Sequence, residues 1–267
     1  DKKIYFSQGN LQYQASTNTW RFAENQWNFV GKCKSTQYYP NQPQDTGNVF
    51  VDGVRCENEN SSPTYNGWID LFGWGTSGWE SGAKAYQPYD TSTAKNDYYQ
   101  GGATGNSANI DWGVHNPISN GGNEAGLWRL PTIKEWEYLL VSRPNYSEKR
   151  GAATVNGVKG LILLPDDWTL PEGLTFKSGM NNNDFKNCKY TAEEWTKMEE
   201  NGAVFLPLAG YRRGISVIRN NGQYFSASYS EYGIEHVKFS ETIIKIVASF
   251  SSPEIAISVR LVKDVEE

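Results

Sequence analysis

Histidine, methionine and cysteine are scarce in this chain: 2, 2 and 3 of 267 residues. His115 and His236 are alone and far apart in sequence, so no histidine cluster of the kind that holds non-haem iron is present. Cys33, Cys56 and Cys188 have no nearby histidine and no zinc-ligand spacing. No metal site or cofactor is expected. Charge of one sign is also lacking. The 25 Lys and Arg against 30 Asp and Glu leave a net charge of −5, and Lys149-Arg150 and Arg212-Arg213 are isolated basic pairs. That excludes the basic footprint of a nucleic-acid binder. No stretch reaches the apolar length that spans a membrane. No signal peptide is visible and the chain begins at Asp1 rather than Met. The expectation is a processed, exported chain at the bacterial cell surface or secreted, with room for a lipid anchor upstream.

What the chain has is rings and turns: 10 Trp, 16 Tyr, 11 Phe and 26 Gly. Long aliphatic helical stripes are scarce. This mix suits a loop-rich fold whose core is filled by a few large rings. In 67–82, Trp68, Phe72, Trp74 and Trp79 are interleaved with glycines. Glycine lets the backbone turn sharply and approach closely, and the rings pack over it. The segment reads either as a sugar platform or as the core beneath a long connection.

Two runs carry helix-start grammar. Thr132 followed by Glu135 forms a capping box, and Ile133, Trp136, Leu139 and Leu140 follow at helical spacing, so a short amphipathic helix is expected over 132–142. Thr191-Ala192-Glu193-Glu194-Trp195 repeats the pattern, with Gly202 as a C-cap, for a helix over 192–201. Strands are expected around both helices. Ile4 to Tyr13 reads as two strands joined by a turn at Gly9-Asn10. Residues 153–165 read as a hairpin with Asn156-Gly157 at its tip. From 222 onward alternation predicts an antiparallel meander with a turn at Tyr232-Gly233. Val237 and Phe239 would face in, and His236, Lys238 and Ser240 out. Residues 31–65 look like an irregular insertion with a small hairpin at Asp52-Gly53. Cys33 and Cys56 bracket it, and either a disulfide staples that loop or the thiols are free; Cys188 is left over.

Arg129-Leu130-Pro131-Thr132-x-x-Glu135-Trp136-Glu137-Tyr138 resembles the segment that opens a helix in formylglycine-generating (sulfatase-modifying) enzymes. Ser258-Val259-Arg260-Leu261-Val262 resembles the strand that closes that fold. Residues 67–78, 163–168, 202–212 and 225–229 look like exported bacterial surface proteins with a C-type-lectin-like fold, related to the variable proteins of diversity-generating retroelements. The resemblance covers nearly the whole chain outside the insertion. It implies a single domain over 1–267 of α+β class: two short capped helices on a twisted, mostly antiparallel sheet, with the termini brought together.

The related enzymes need a late pair of cysteines for copper, and this chain has none after Cys188. Asp166-Asp167 reads as an acid pair or as a turn. The triplets of calcium-dependent lectins, Glu-Pro-Asn and Trp-Asn-Asp, are absent. Asn181-Asn182-Asn183-Asp184 is oxygen-rich without the spaced carboxylates of a tight calcium loop. The expectation is a non-catalytic, monomeric surface protein that recognises a glycan or a protein. A divergent enzyme of the sulfatase-modifying superfamily is the alternative. The expected contact residues are Tyr224, Ser226, Ser228, Tyr229, Tyr232, His236 and Lys238, because Tyr offers large contact area at low entropy cost and Ser adapts its hydrogen bonds. An ordinary solvated sheet face is the competing reading. Ile243, Ile244, Ile246 and Val247 are either core or an apolar ligand patch.

Overall fold

The computed structural model describes residues 3–30, 34–35, 55–57, 61–179, 184–218, 221–240, 243–250 and 252–265. It is a mixed α+β structure of sheets with a few short helices. Among these residues, no helix is long and apolar enough to cross a membrane.

The first and last described strands meet. Ile4–Phe6 pairs antiparallel with Val262–Asp264, while Leu11–Gln14 pairs with Thr19–Phe22. The first two strands therefore do not form the hairpin that Gly9-Asn10 suggests. Gly9 instead lies against Ala23, whose carbonyl oxygen would sit 2.5 Å from any added Cβ. The local turn signal marks a close backbone approach, which pairing at a distance outweighs.

The largest sheet runs in the order Ile244–Phe250, Gly233–Phe239, Gly222–Ser230, Ile255–Ser258, Tyr211–Arg213, Ser216–Ile218, Arg55–Glu57, Lys34–Ser35. Leu71–Phe72 adds on at Ile255–Ser258. All pairings are antiparallel except that of Gly222–Ser230 with Ile255–Ser258. The described ends of the 31–65 insertion thus extend this sheet. Cys33 and the Asp52-Gly53 turn lie outside the described residues, and so does the expected Cys33 to Cys56 bridge. Cys188 is a free, half-buried thiol, and burial pushes its pKa up.

A four-stranded sheet runs Val204–Pro207, Val158–Leu163, Arg150–Val155, Lys189–Tyr190. Its central hairpin turns at Asn156 (φ 45°) and Gly157 (φ 84°), the left-handed pair a two-residue turn needs. Both capped helices form. Thr132 Oγ1 accepts from Glu135 N, and the Glu135 carboxylate accepts from Thr132 N, at the start of Ile133–Glu137. Thr191 and Glu194 repeat this at Ala192–Glu200. The first helix then widens into a π-helical turn, Tyr138–Ser142.

The core lies in three clusters. One holds Trp20, Phe72, Trp74, Trp112 and Phe225 under the long 61–130 connection. Phe72 and Trp74 are fully buried and Trp68 and Trp79 half-buried, so the glycine-aromatic segment is chiefly core. A second cluster packs Trp195 and Met198 of the second capped helix on the four-stranded sheet, together with Trp27 and Phe29. The third lies between the two sheets, where Trp136 and Leu140 meet Leu161, Leu206, Tyr224, Val237 and Phe239. Trp74, Trp112, Trp136 and Trp195 are 0% exposed. Truncating any of them would cost about 3–5 kcal/mol.

Candidate binding site on the Tyr229–Gly233 turn

The strands Gly222–Ser230 and Gly233–Phe239 form one hairpin with residues packed into a core cluster on each face. Tyr224, Val237 and Phe239 face the cluster between the sheets, with the Tyr224 and Phe239 rings stacked at 5.9 Å. Phe225, Ala227 and Ile234 face the first cluster, where Phe225 stacks on Trp112 at 5.5 Å. The inward assignment of Val237 and Phe239 is correct, but the opposite face of this strand is not wholly solvated.

Three of the expected contact residues are therefore interior. Tyr224 is 0% exposed, Ser226 0% and His236 1%. The Tyr224 hydroxyl donates to the Pro207 carbonyl at 3.0 Å and accepts from Asn10 Nδ2 at 3.3 Å. Burial, reinforced by the Lys238 charge, pushes the His236 imidazole down to about 4, so it is neutral near pH 7. Ser228 is half-buried and used internally, since its Oγ accepts the Ile133 N–H at 3.0 Å. Lys238 is exposed, six residues from Tyr232 along the strand, or about 20 Å at the usual rise. Ile244 and Ile246 pack partly buried on the third cluster, while Ile243 is 47% exposed.

Only Tyr229 and Tyr232 come together in solvent, at 42% and 60% exposure. The path to them explains why. Phe225 pairs with His236 and Tyr229 with Ile234, so residues 226–228 bulge opposite Glu235 alone. The Ser226 hydroxyl donates to the Glu235 carbonyl at 2.7 Å and accepts Ser228 N at 3.2 Å. Ala227 N donates to the Pro131 carbonyl at 2.9 Å. The Trp136 indole N–H donates to the Phe225 carbonyl at 3.2 Å. The Arg-Leu-Pro-Thr helix start thus clamps the bulge, and the bulge aims the turn beyond it.

The helix start is itself clamped. Arg129 grips both Glu135 oxygens at 2.9 and 2.7 Å and Asp264 Oδ1 at 2.6 Å, and its backbone bridges to Val262. Asp111 caps the short helix Trp112–His115 by accepting Gly113 N, and also accepts Leu130 N at 2.7 Å. Its complete burial raises its pKa to about 6, against those hydrogen bonds.

Beside the turn lies a depression of about 160 Å³, lined by Lys95, Gln100, Tyr229, Glu231, Tyr232, Gly233, Ile234 and Pro253. The 95–103 segment forms its second wall. Ala103 N donates to the Ala227 carbonyl at 3.2 Å, and the Trp74 indole N–H to the Gly101 carbonyl at 2.9 Å. Gly102 lies under Tyr229, where an added Cβ would stand 3.2 Å from the Tyr229 Cβ. Sequence reading missed Lys95, Gln100, Glu231 and Pro253. Nothing near Lys95 marks it, because only the docking of a distant loop brings it to the turn. Glu231 was within reach, since it immediately precedes the recognised Tyr232-Gly233 turn.

Asp166 accepts from Tyr138, Arg143 and Lys149 at 3.0, 3.2 and 3.3 Å. These contacts hold its carboxyl below the usual range although partial burial raises it. Among the described residues, no group of three or more His, Cys, Asp or Glu is placed to hold a metal ion. His115 is half-buried, and burial lowers its pKa. Asn181 to Asn183 lie outside the described residues.

Fold and site together define a mixed α+β protein that displays an aromatic turn beside a depression of mixed polar and apolar lining. Comparison with protein-family models, with curated proteins and with solved structures finds no match to this chain.

Proposed function

We propose that this chain is a non-catalytic recognition protein, exported and displayed at a bacterial surface, whose ligand is a glycan or a protein. Its scaffold on this reading is C-type-lectin-like. The observation that carries the proposal is the pair of exposed rings, Tyr229 and Tyr232, held over the depression by a bulge locked to the first capped helix. Exposed tyrosines on a rigid support are the anchors recognition surfaces use. The paired terminal strands support the scaffold reading, because the resemblance implies that the termini are brought together.

The test is an array of glycans and proteins probed with the intact chain and with Tyr229→Ala and Tyr232→Ala. Both rings are exposed, so both variants should fold. Binding to the preferred ligand should fall about tenfold or more in at least one, the scale of a lost aromatic anchor. Binding unchanged in both would remove this site.

A further inference from the structure

The groups lining the depression narrow the ligand class. Lys95 and Glu231 bring one charge of each sign, and neither has an ion-pair partner among the described residues. Gln100 donates its amide hydrogens to the carbonyls of Lys95 at 3.1 Å and Tyr98 at 3.0 Å. That orients the amide and leaves its Oε1 as an acceptor. The phenolic oxygens of Tyr229 and Tyr232 have no protein partner among the described residues, and their rings are largely open.

A ligand of one charge satisfies only half of this wall. An anion that pairs with Lys95 meets Glu231, and a cation that pairs with Glu231 meets Lys95. A neutral polyol answers every group: its hydroxyls donate to the Glu231 carboxylate and to Gln100 Oε1, and accept from the Lys95 ammonium. The C–H face of a pyranose ring covers a tyrosine ring and buries apolar area on both. The depression holds about 160 Å³, less than the roughly 300 Å³ at which pockets for whole small-molecule ligands begin, so it has room for one end of a ligand.

We infer that the Tyr229–Gly233 turn, with Lys95 and Gln100, binds the end of an uncharged saccharide by ring stacking and direct hydroxyl hydrogen bonds. This rests on the recognition reading above and specifies its ligand.

The experiment uses the intact chain on high-density surfaces of neutral, carboxylated, sulfated and amino-sugar oligosaccharides and of basic and acidic peptides. The best binder is then titrated calorimetrically against Tyr232→Ala, Tyr229→Ala, Lys95→Met and Glu231→Gln. The expected result is selection of neutral saccharides. Affinity should fall about tenfold or more in a tyrosine variant, and about three- to tenfold in both Lys95→Met and Glu231→Gln. Raising salt from 0.05 to 0.5 M, roughly a threefold cut in Debye length, should change affinity less than about twofold. Selection of only acidic glycans, abolished by Lys95→Met, overturns the neutral class and leaves the recognition reading standing. So does selection of only peptides, lost in the tyrosine variants. A ligand bound equally by wild type and all four variants overturns both, as does failure to bind any surface.

Discussion

His236 and Asp111 are buried titratable side chains whose shifts run in opposite directions, and each makes a prediction about pH. His236 has its folded pKa lowered from 6.5 to about 4. Its contribution to stability is therefore full above the unfolded value and is lost as pH falls from 6.5 through 4. A shift of this size corresponds to about 3 kcal/mol. Asp111 has its folded pKa raised from 3.8 to about 6. Its contribution is full below pH 3.8 and is lost as pH rises through 6. In urea titrations between pH 4 and 7, the stability difference between wild type and His236→Gln should shrink as pH falls. The difference between wild type and Asp111→Asn should grow. Parallel profiles for wild type and either variant would show that the residue does not titrate in that window.

The hairpin, its bulge and the first capped helix act as one element. Ser228 was expected to meet ligand, but its hydroxyl receives the Ile133 N–H. Replacing it with alanine leaves that amide without its partner at the helix start. Ser228→Ala should lose about 1–2 kcal/mol in chemical unfolding. Exchange of the Tyr229 and Tyr232 amides should also quicken, and unchanged exchange would separate the bulge from the turn. Gly102 tests the aim of the turn more directly. Gly102→Ala places a methyl 3.2 Å from the Tyr229 Cβ. The Tyr229 Cβ is fixed by its own backbone, so the turn must shift by a few tenths of an ångström and carry the ring with it; ligand binding should weaken while the melting temperature stays within a few degrees. An equal loss of binding in a variant melting far lower would mark Gly102 as a folding residue instead.

Across the whole molecule, the parts are joined by a buried polar network as well as by rings. Gln26 accepts from Phe205 N and from Arg260 Nη2, the latter at 3.0 Å, and donates to the Ala203 carbonyl at 3.2 Å. Arg260 also reaches Asn10, which donates to Tyr224. One glutamine thus connects the N-terminal segment, the four-stranded sheet and the closing segment. Burial lowers the Arg260 pKa to about 10, so its charge persists near neutrality. Gln26→Ala strips an acceptor from a buried guanidinium and from a strand amide. It should cost about 3 kcal/mol, read as a shift in the urea midpoint. A loss below about 1 kcal/mol would mean water replaces the side chain without penalty.

What could be read from the chain was whatever rests on neighbours in sequence. Thr132 with Glu135, Thr191 with Glu194, and Asn156-Gly157 each carry their partner within three residues, and all three form as expected. The α+β class follows from such local signals, because capping and turn chemistry are decided over one helical turn or one tight loop. The faces of the 222–240 hairpin were not decided there. Alternation says that two faces exist, but not whether a second layer covers the outer one. Here the 61–130 connection covers part of it, and His236 goes inside while Tyr229 and Tyr232 stay out. The depression has the same origin, because Lys95 and Gln100 reach Glu231 through contacts more than 120 residues apart in sequence, such as that of Ala103 with Ala227. Sequence determined the elements whose signals lie within one helical turn or one tight loop, since those energies are local. Only the tertiary structure decided which side chains are left to meet a ligand, since exposure depends on everything packed against a face.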